Sequence, residues 1–345
     1  MNKFKLYFIL LFSGMVLFSC KKDDDGSYVE ELRAFDTQYA TEKATIETFM
    51  RTHYIKSLNN TPGTVQDMDV VVDSIPEGNP EGLTSLWYHA DKDSVDVELH
   101  GLTYKLYYIK FRTGDPTQES PSSVDNVLAA YDGYYINSEN KMKGFEYVPF
   151  PQQSFALDNV IRGWTEIFQL FKPGTRNPSP GEATIYNDFG AGLMFIPSGL
   201  GYYNVARVSI PSYSSLMFSF KFYKMERSDT DNDGILSIHE DINGNGIYTD
   251  DDTDGDGIPN YLDADDDGDG TSTRAELKKP VEYLNPLKPN MEVNPDYSGP
   301  ALYYPYEAFD NIEDPTKSET RGAPSCDGDF SSATRLRKYL DATCQ

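Results

Sequence analysis

The middle of the chain offers one short helical stretch among many strands, and that imbalance limits how its apolar surfaces can be covered. Asn159-Val160-Ile161-Arg162-Gly163-Trp164 leads two β-branched residues into a Gly and a Trp. Ile167, Phe168, Leu170 and Phe171 follow at helical spacing, and Pro173-Gly174 ends the run. Segments rich in Val, Ile, Phe and Tyr lie on both sides: 104–111, 127–136, Leu193-Met194-Phe195-Ile196, and Leu216 onward to Phe222. Neither one helix nor one sheet hides its apolar face alone, so the expected arrangement is a sheet wrapped around the helix. The 25 Tyr and 19 Phe among 345 residues favour sheet as well.

Charge divides the chain unevenly. The formal net charge is −25, and residues 229–276 carry sixteen Asp or Glu against one Arg, so −15 of it sits there. Such a field repels nucleic acid and anionic lipid and suits divalent cations. No nucleic-acid partner is expected.

The N-terminus reads as a targeting segment. Lys3 and Lys5 precede an apolar run, 6–18, too short to span a bilayer. Leu17-Phe18-Ser19-Cys20 resembles a bacterial lipobox, with residues 1–19 as signal peptide and Cys20 lipidated; the other reading is a cleaved leader with an incidental Cys. Residues 20–27 form a tether whose Lys21-Lys22-Asp23-Asp24-Asp25 resembles the signal that sends some Bacteroidetes lipoproteins to the cell surface. The only membrane contact expected is through that lipid, on an outer-membrane lipoprotein facing the periplasm or the outside. Cys326 and Cys344 then remain as a pair in an oxidising compartment. A bridge between them would contribute about 3 kcal/mol by loop entropy; two free thiols are the alternative.

Residues 28–99 read as an N-terminal helix and strand region. An amphipathic pattern over 26–57 allows a break and a second helix near Thr41-Glu42-Lys43, Val70-Val71-Val72 interrupts a polar loop, and Leu86-Trp87-Tyr88 reads as strand. Residues 100–227 hold the helix-and-strand unit, with 175–190 as a surface insertion. Residues 277–345 form a C-terminal extension, in which Arg335 to Leu340 suits a short basic helix.

Within 100–227 the series Ala130-Tyr131-Asp132-Gly133, Gly144-Phe145-Glu146, Val160-Ile161-Arg162-Gly163-Trp164, Ile196-Pro197, Gly201-Tyr202, Ile210-Pro211 and Leu216-Met217-Phe218 resembles the FKBP-type peptidyl-prolyl cis-trans isomerases in order and spacing. The resemblance implies an α+β fold, an antiparallel sheet curled around one short helix. It also implies proline-containing polypeptides as substrates, in the folding of exported proteins. Trp164 would floor a proline pocket, Tyr131, Phe145 and Phe218 would wall it, and Val160, Ile161 and Ile210 would fill its rim. The Ile161 amide and the Tyr202 hydroxyl would bond substrate carbonyls. No cofactor is needed for catalysis. Two positions depart from the family: Glu146 stands where Asp is usual, and the aromatic expected near Gln153 is missing. A non-catalytic proline-peptide-binding or chaperone module, or a calcium-dependent surface interaction module on the same scaffold, is the alternative.

The acidic segment repeats. Asp229, Asp231, Asp233, Gly234, the Ile235 carbonyl and Glu240 match a calcium loop of the EF-hand kind: alternate oxygens, a Gly at the sharp turn, a distal carboxylate. Asp241, Asn243, Asn245 lead to Asp252; Asp252, Asp254, Asp256 lead to Asp263; Asp265, Asp267, Asp269 lead to Glu276. Without long flanking helices, 228–276 is similar to thrombospondin type-3 repeats, which implies several structural calcium ions; without calcium it would be a disordered acidic linker. His53, His89, His100 and His239 lack ligand spacing and are read as structural or surface residues.

Overall fold

The computed structural model describes residues 32–177, 184–279, 302–307, 321–330 and 332–344. The expectations for residues 1–19, Cys20 and the tether lie outside them. The chain divides into two compact units, Met1–Ala34 and Phe35–Gln345; of the first, only 32–34 are described, without regular structure.

In the second unit, strand β10 (Gly190–Ile196) is buried at every position, so both faces of the sheet around it are covered. The sheet has seven strands. β10 lies between β4 (Leu102–Arg112) and β11 (Leu216–Glu226). β3 (Lys92–Leu99) extends the β4 edge. β5 (Asn126–Ile136) pairs with β11, then β6 (Met142–Val148) and β7 (Phe155–Ala156) pair with β5. All of these pairings are antiparallel. The sheet thus begins at Lys92, inside the stretch read as the N-terminal region.

Alternation sorts the side chains. Met194, Ile196, Phe218, Phe220 and Phe222 pack with Trp164, Ile167, Phe168 and Phe171 of the short helix α2 (Arg162–Phe168) and the turn after it. Leu193, Phe195 and Met217 face the other way, onto Ile46, Phe49 and Met50 of α1 (Phe35–Thr52). Gly163 permits the close approach on the first side: a Cβ there would lie 2.6 Å from Ile196 Cγ2.

α1 runs unbroken where a break was allowed at Thr41. The Thr41 and Thr45 hydroxyls bond back to carbonyls one turn earlier, at 3.2 and 3.0 Å, and so do not disrupt the helix. The chain turns to strand at once after Thr52, and β1 (His53–Leu58) pairs antiparallel with β2 (Val70–Ser74) in place of the helix expected to residue 57. Leu86–Tyr88 is a 3-10 turn, not a strand: Leu86 is buried against α1's cluster while Trp87 is held from outside by Arg51 and Lys92, at 4.0 and 4.3 Å. Within the insertion, β8 (Thr175–Asn177) and β9 (Ile185–Asn187) pair as a small antiparallel ribbon. No helix among the described residues is long and apolar enough to cross a membrane.

α1 also braces a turn across the sheet. Glu42, 4% exposed, accepts from Ser198 N at 2.8 Å and from Gln38 Nε2 at 2.6 Å. Glu42→Ala leaves the Ser198 amide buried without its acceptor and is expected to cost about 1–3 kcal/mol in urea unfolding. Glu42→Gln, which keeps an acceptor oxygen, is expected to cost less.

Candidate functional site

The turn that Glu42 holds, Ser198–Leu200, forms one rim of a cavity of about 680 Å³. α2 supplies the floor. Trp164 is 4% exposed and stands among four rings. Tyr131, Phe155 and Phe218 meet it edge-on with centroids at 4.9, 5.2 and 5.0 Å, and Phe168 stacks beneath at 5.3 Å. Such edge-to-face packing presents apolar ring surface and leaves little freedom to shift. Trp164 Nε1 is buried and meets no hydrogen-bond partner.

Of the residues expected here, Tyr131, Glu146, Val160, Ile161, Trp164, Tyr202 and Phe218 border the cavity. Phe145 and Ile210 do not. Gly133 leaves a gap in β5 where a Cβ would come within 2.7 Å of the Phe145 ring; Phe145 lies over it and stands edge-on to Phe218 at 5.5 Å. Ile210 is 5% exposed, in a tight turn where its carbonyl accepts from Arg207 N at 2.9 Å. Both buttress the walls.

Sequence reasoning missed Phe155, which supplies the aromatic wall sought near Gln153; Gln153 itself is exposed. The signal was the Phe155, Leu157 alternation just ahead of the helix. It also missed His100 and Arg207 on the rim.

The donors are set for neutral pH. Ile161 caps α2 with extended backbone, its carbonyl accepting from Trp164 N at 2.9 Å. Burial raises the Tyr202 hydroxyl above the ordinary phenol range, against the opposing charge of Arg207, whose guanidinium lies 4.8 Å from the Tyr202 ring. Burial, then the Glu146 carboxylate, raise Tyr131 as well. Both phenols therefore keep their protons and can donate.

Beyond β11 the acidic segment begins from a knot. Asp125, fully buried, takes Arg227 Nη1 at 2.5 Å and the Ser122 N–H at 2.6 Å, and Val124 packs with Tyr248 and Tyr261 of the repeats. The loops share one hydrogen-bond plan. The leading carboxylates of Asp241, Asp252 and Asp265 accept from the Gly N–H five residues on, at 2.8–3.0 Å. The fifth residue accepts from the seventh in each, as Asp233 does from Ile235 N at 2.6 Å. The sixth residue needs positive φ, and Gly234, Gly246, Gly257 and Gly270 have 107°, 77°, 96° and 92°.

Carboxylate oxygens come within 4.8 Å of one another in the groups Asp229, Asp231, Asp233; Asp252, Asp254, Asp256; and Asp265, Asp267, Asp269. In the second loop Asn243 and Asn245 instead donate to Asp250, at 3.2 and 2.9 Å. Asp263 accepts from Asp265 N at 3.0 Å. The segment fits hard cations: oxygens of Asp229, Asp231, Asp233, Glu240, Asp265, Asp267 and Glu276 are buried without hydrogen-bond partners, Lys338 standing 3.7 Å from Glu276. Burial and neighbouring carboxylates push Asp231 up to about 6 and Glu276 up to about 7. Farther on, Cys326 is joined to Cys344, with Cα atoms 5.5 Å apart, and Lys338–Leu340 forms a 3-10 turn.

Comparison with known proteins adds two similarities. Residues 230–317 match the family model "BamM C-terminal", which runs through the repeats into the following segment. The chain is 31% identical over 150 residues to a probable FKBP-type peptidyl-prolyl cis-trans isomerase, FkpA, of Neisseria meningitidis serogroup B, covering 42% of this chain and 45% of that protein. It thus spans less than half the length of the curated relative it matches. Among solved structures, FkpA from Escherichia coli is 28% identical, covering 35% of this chain and 48% of that one at a TM-score of 0.28. A peptidyl-prolyl cis-trans isomerase from Pseudomonas syringae pv. tomato is 23% identical, covering 38% and 81% at a TM-score of 0.28. In sequence, part of this chain is similar to FKBP-type peptidyl-prolyl isomerases.

The ring cluster makes the cavity floor a stability element. Trp164→Ala is expected to cost about 3–5 kcal/mol in urea unfolding, whereas Tyr202→Phe, on the half-exposed rim, is expected to stay within about 1 kcal/mol of the parent.

Proposed function

We propose that this chain is a peptidyl-prolyl cis-trans isomerase of the FKBP type, acting on exported polypeptides outside the cytoplasm. The observation that carries the reading is the box of Tyr131, Phe155 and Phe218 standing edge-on around Trp164 at the floor of the cavity. The partial likeness in sequence to an FKBP-type isomerase supports it. Isomerisation faces an amide resonance barrier of about 18–20 kcal/mol. The twisted amide has lost its charge separation, so an apolar box accommodates it better than either planar form. A proline ring on Trp164 leaves the flanking carbonyls to the Ile161 N–H and the Tyr202 hydroxyl. No nucleophile or acid–base pair takes part.

The repeats belong to this reading as calcium loops that stiffen an extension beyond β11, and Cys20 as a lipid anchor at the cell envelope. The paired Cys326 and Cys344 favour an oxidising compartment. When bound, calcium supplies charge neutralisation for carboxylates that otherwise face one another unpaired.

The full chain is expected to accelerate cis-trans relaxation of an X-Pro peptide, and Tyr202→Phe to lower kcat/KM about three- to tenfold, the value of one hydrogen bond. Peptide binding with no acceleration would assign the pocket to a non-catalytic binding module. Calcium at a hundred times its dissociation constant is expected to add about 2.7 kcal/mol per ion bound only by the folded state. An unchanged melting temperature on adding a chelator would remove the calcium loops from the proposal.

A further inference from the structure

Asp266 has no part in the repeat pattern. It follows Asp265, the leading residue of the fourth loop, and no spacing rule makes it a ligand. The fold nonetheless buries it to 1% exposure and brings its carboxylate within 4.8 Å of those of Asp233 and Glu240 in the first loop, each also 1% exposed. Both oxygens of Asp266, both of Glu240, and Oδ2 of Asp233 are buried with no hydrogen-bond partner.

The surroundings do not answer that charge. Ile235, Leu277, Ala323, Tyr339 and Leu340 form an apolar cluster beside it. The nearby cations of the C-terminal turn are committed elsewhere, Arg335 and Arg337 to Glu307 and Lys338 to Glu276. Among the described residues, no Lys or Arg pairs with any of the three. Either protons or a cation must neutralise them. Two oxygens on opposite sides of a calcium ion stand at most about 5 Å apart, which the cluster satisfies. A donor set of oxygens alone disfavours zinc. Arg274 Nη1, donating to the Asn232 carbonyl at 3.5 Å, already brings the end of the fourth loop against the first.

We propose that Asp266 joins Asp233 and Glu240 in holding one calcium ion that ties the first acidic loop to the fourth, closing the tandem on itself. This rests on the calcium reading above and adds a ligand that the repeats do not encode.

Calcium titration by calorimetry and hydrogen exchange on the full chain tests it. Asp266→Asn is expected to lose one ion, or to bind it at least about tenfold more weakly. Amide exchange is then expected to rise across 229–240, in the opposite loop. In chelator the same variant is expected to melt no lower than the parent, because it removes a buried unpaired charge. Asp256→Asn, in the exposed third loop, is expected to weaken a site without loosening 229–240. Parent and Asp266→Asn chains with equal stoichiometry and affinity, and equal exchange over 229–240, would overturn the proposal while leaving the calcium loops intact. A parent chain that binds no calcium would overturn both. An anomalous difference map of parent crystals grown in calcium decides without a variant: a peak ligated by Asp266 together with Asp233 and Glu240 is expected, and an ion in the first loop out of reach of Asp266 would contradict it.

Discussion

Strand β10 leaves no face for water, and the rest of the described structure answers that constraint. Its buried positions from Gly190 to Ile196 alternate between two apolar clusters, one under α2 and one under α1. A sheet centre this apolar needs a layer on each side. α2 can serve on the first side only by coming close, which Gly163 permits at Ile196. That closeness sets Trp164 among the rings of β5, β7 and β11. The pocket floor is thus a by-product of covering the sheet, and it belongs to the same packed core.

The second layer matters to the same site from the far side. α1 packs on Leu193 and Phe195, and its Glu42 reaches past the sheet to hold the Ser198 amide. Gly199, Leu200, Gly201 and Tyr202, just beyond, border the cavity. An N-terminal helix that reads as a separate segment therefore sets one rim of the pocket. The acidic repeats attach by other means, through the buried Asp125 and Arg227 knot and the two tyrosines packed on Val124. Their interior holds carboxylates where a domain core holds methyl groups.

Local pattern made the central helix, most strands of the large sheet and the loop glycines readable, because each depends on neighbours within a few positions; the helix itself ends at Phe168, ahead of the expected stop at Pro173-Gly174. The Leu193-Met194-Phe195-Ile196 run signalled burial but not that its second face would lie under residues 35–52. Phe155 escaped notice because a family pattern directs attention to Gln153, while the fold needs only a ring at that place in space. Phe145 lies off the cavity for a related reason: its ring covers the gap that Gly133 leaves and stands edge-on to Phe218. Asp266 was invisible because its partners lie in another loop. Pairings across loops leave no trace in spacing.

The proposed isomerase activity requires a proline ring to sit on Trp164. The chain has two Trp residues, and Trp87 lies outside the cavity against Arg51 and Lys92. A Trp87→Phe variant leaves Trp164 as the sole indole reporter for a fluorescence titration with short peptides. A saturable change with an X-Pro peptide, absent when alanine replaces the proline, is the expected result. An indole signal that ignores the proline peptide, or answers both peptides alike, would contradict a proline site at Trp164.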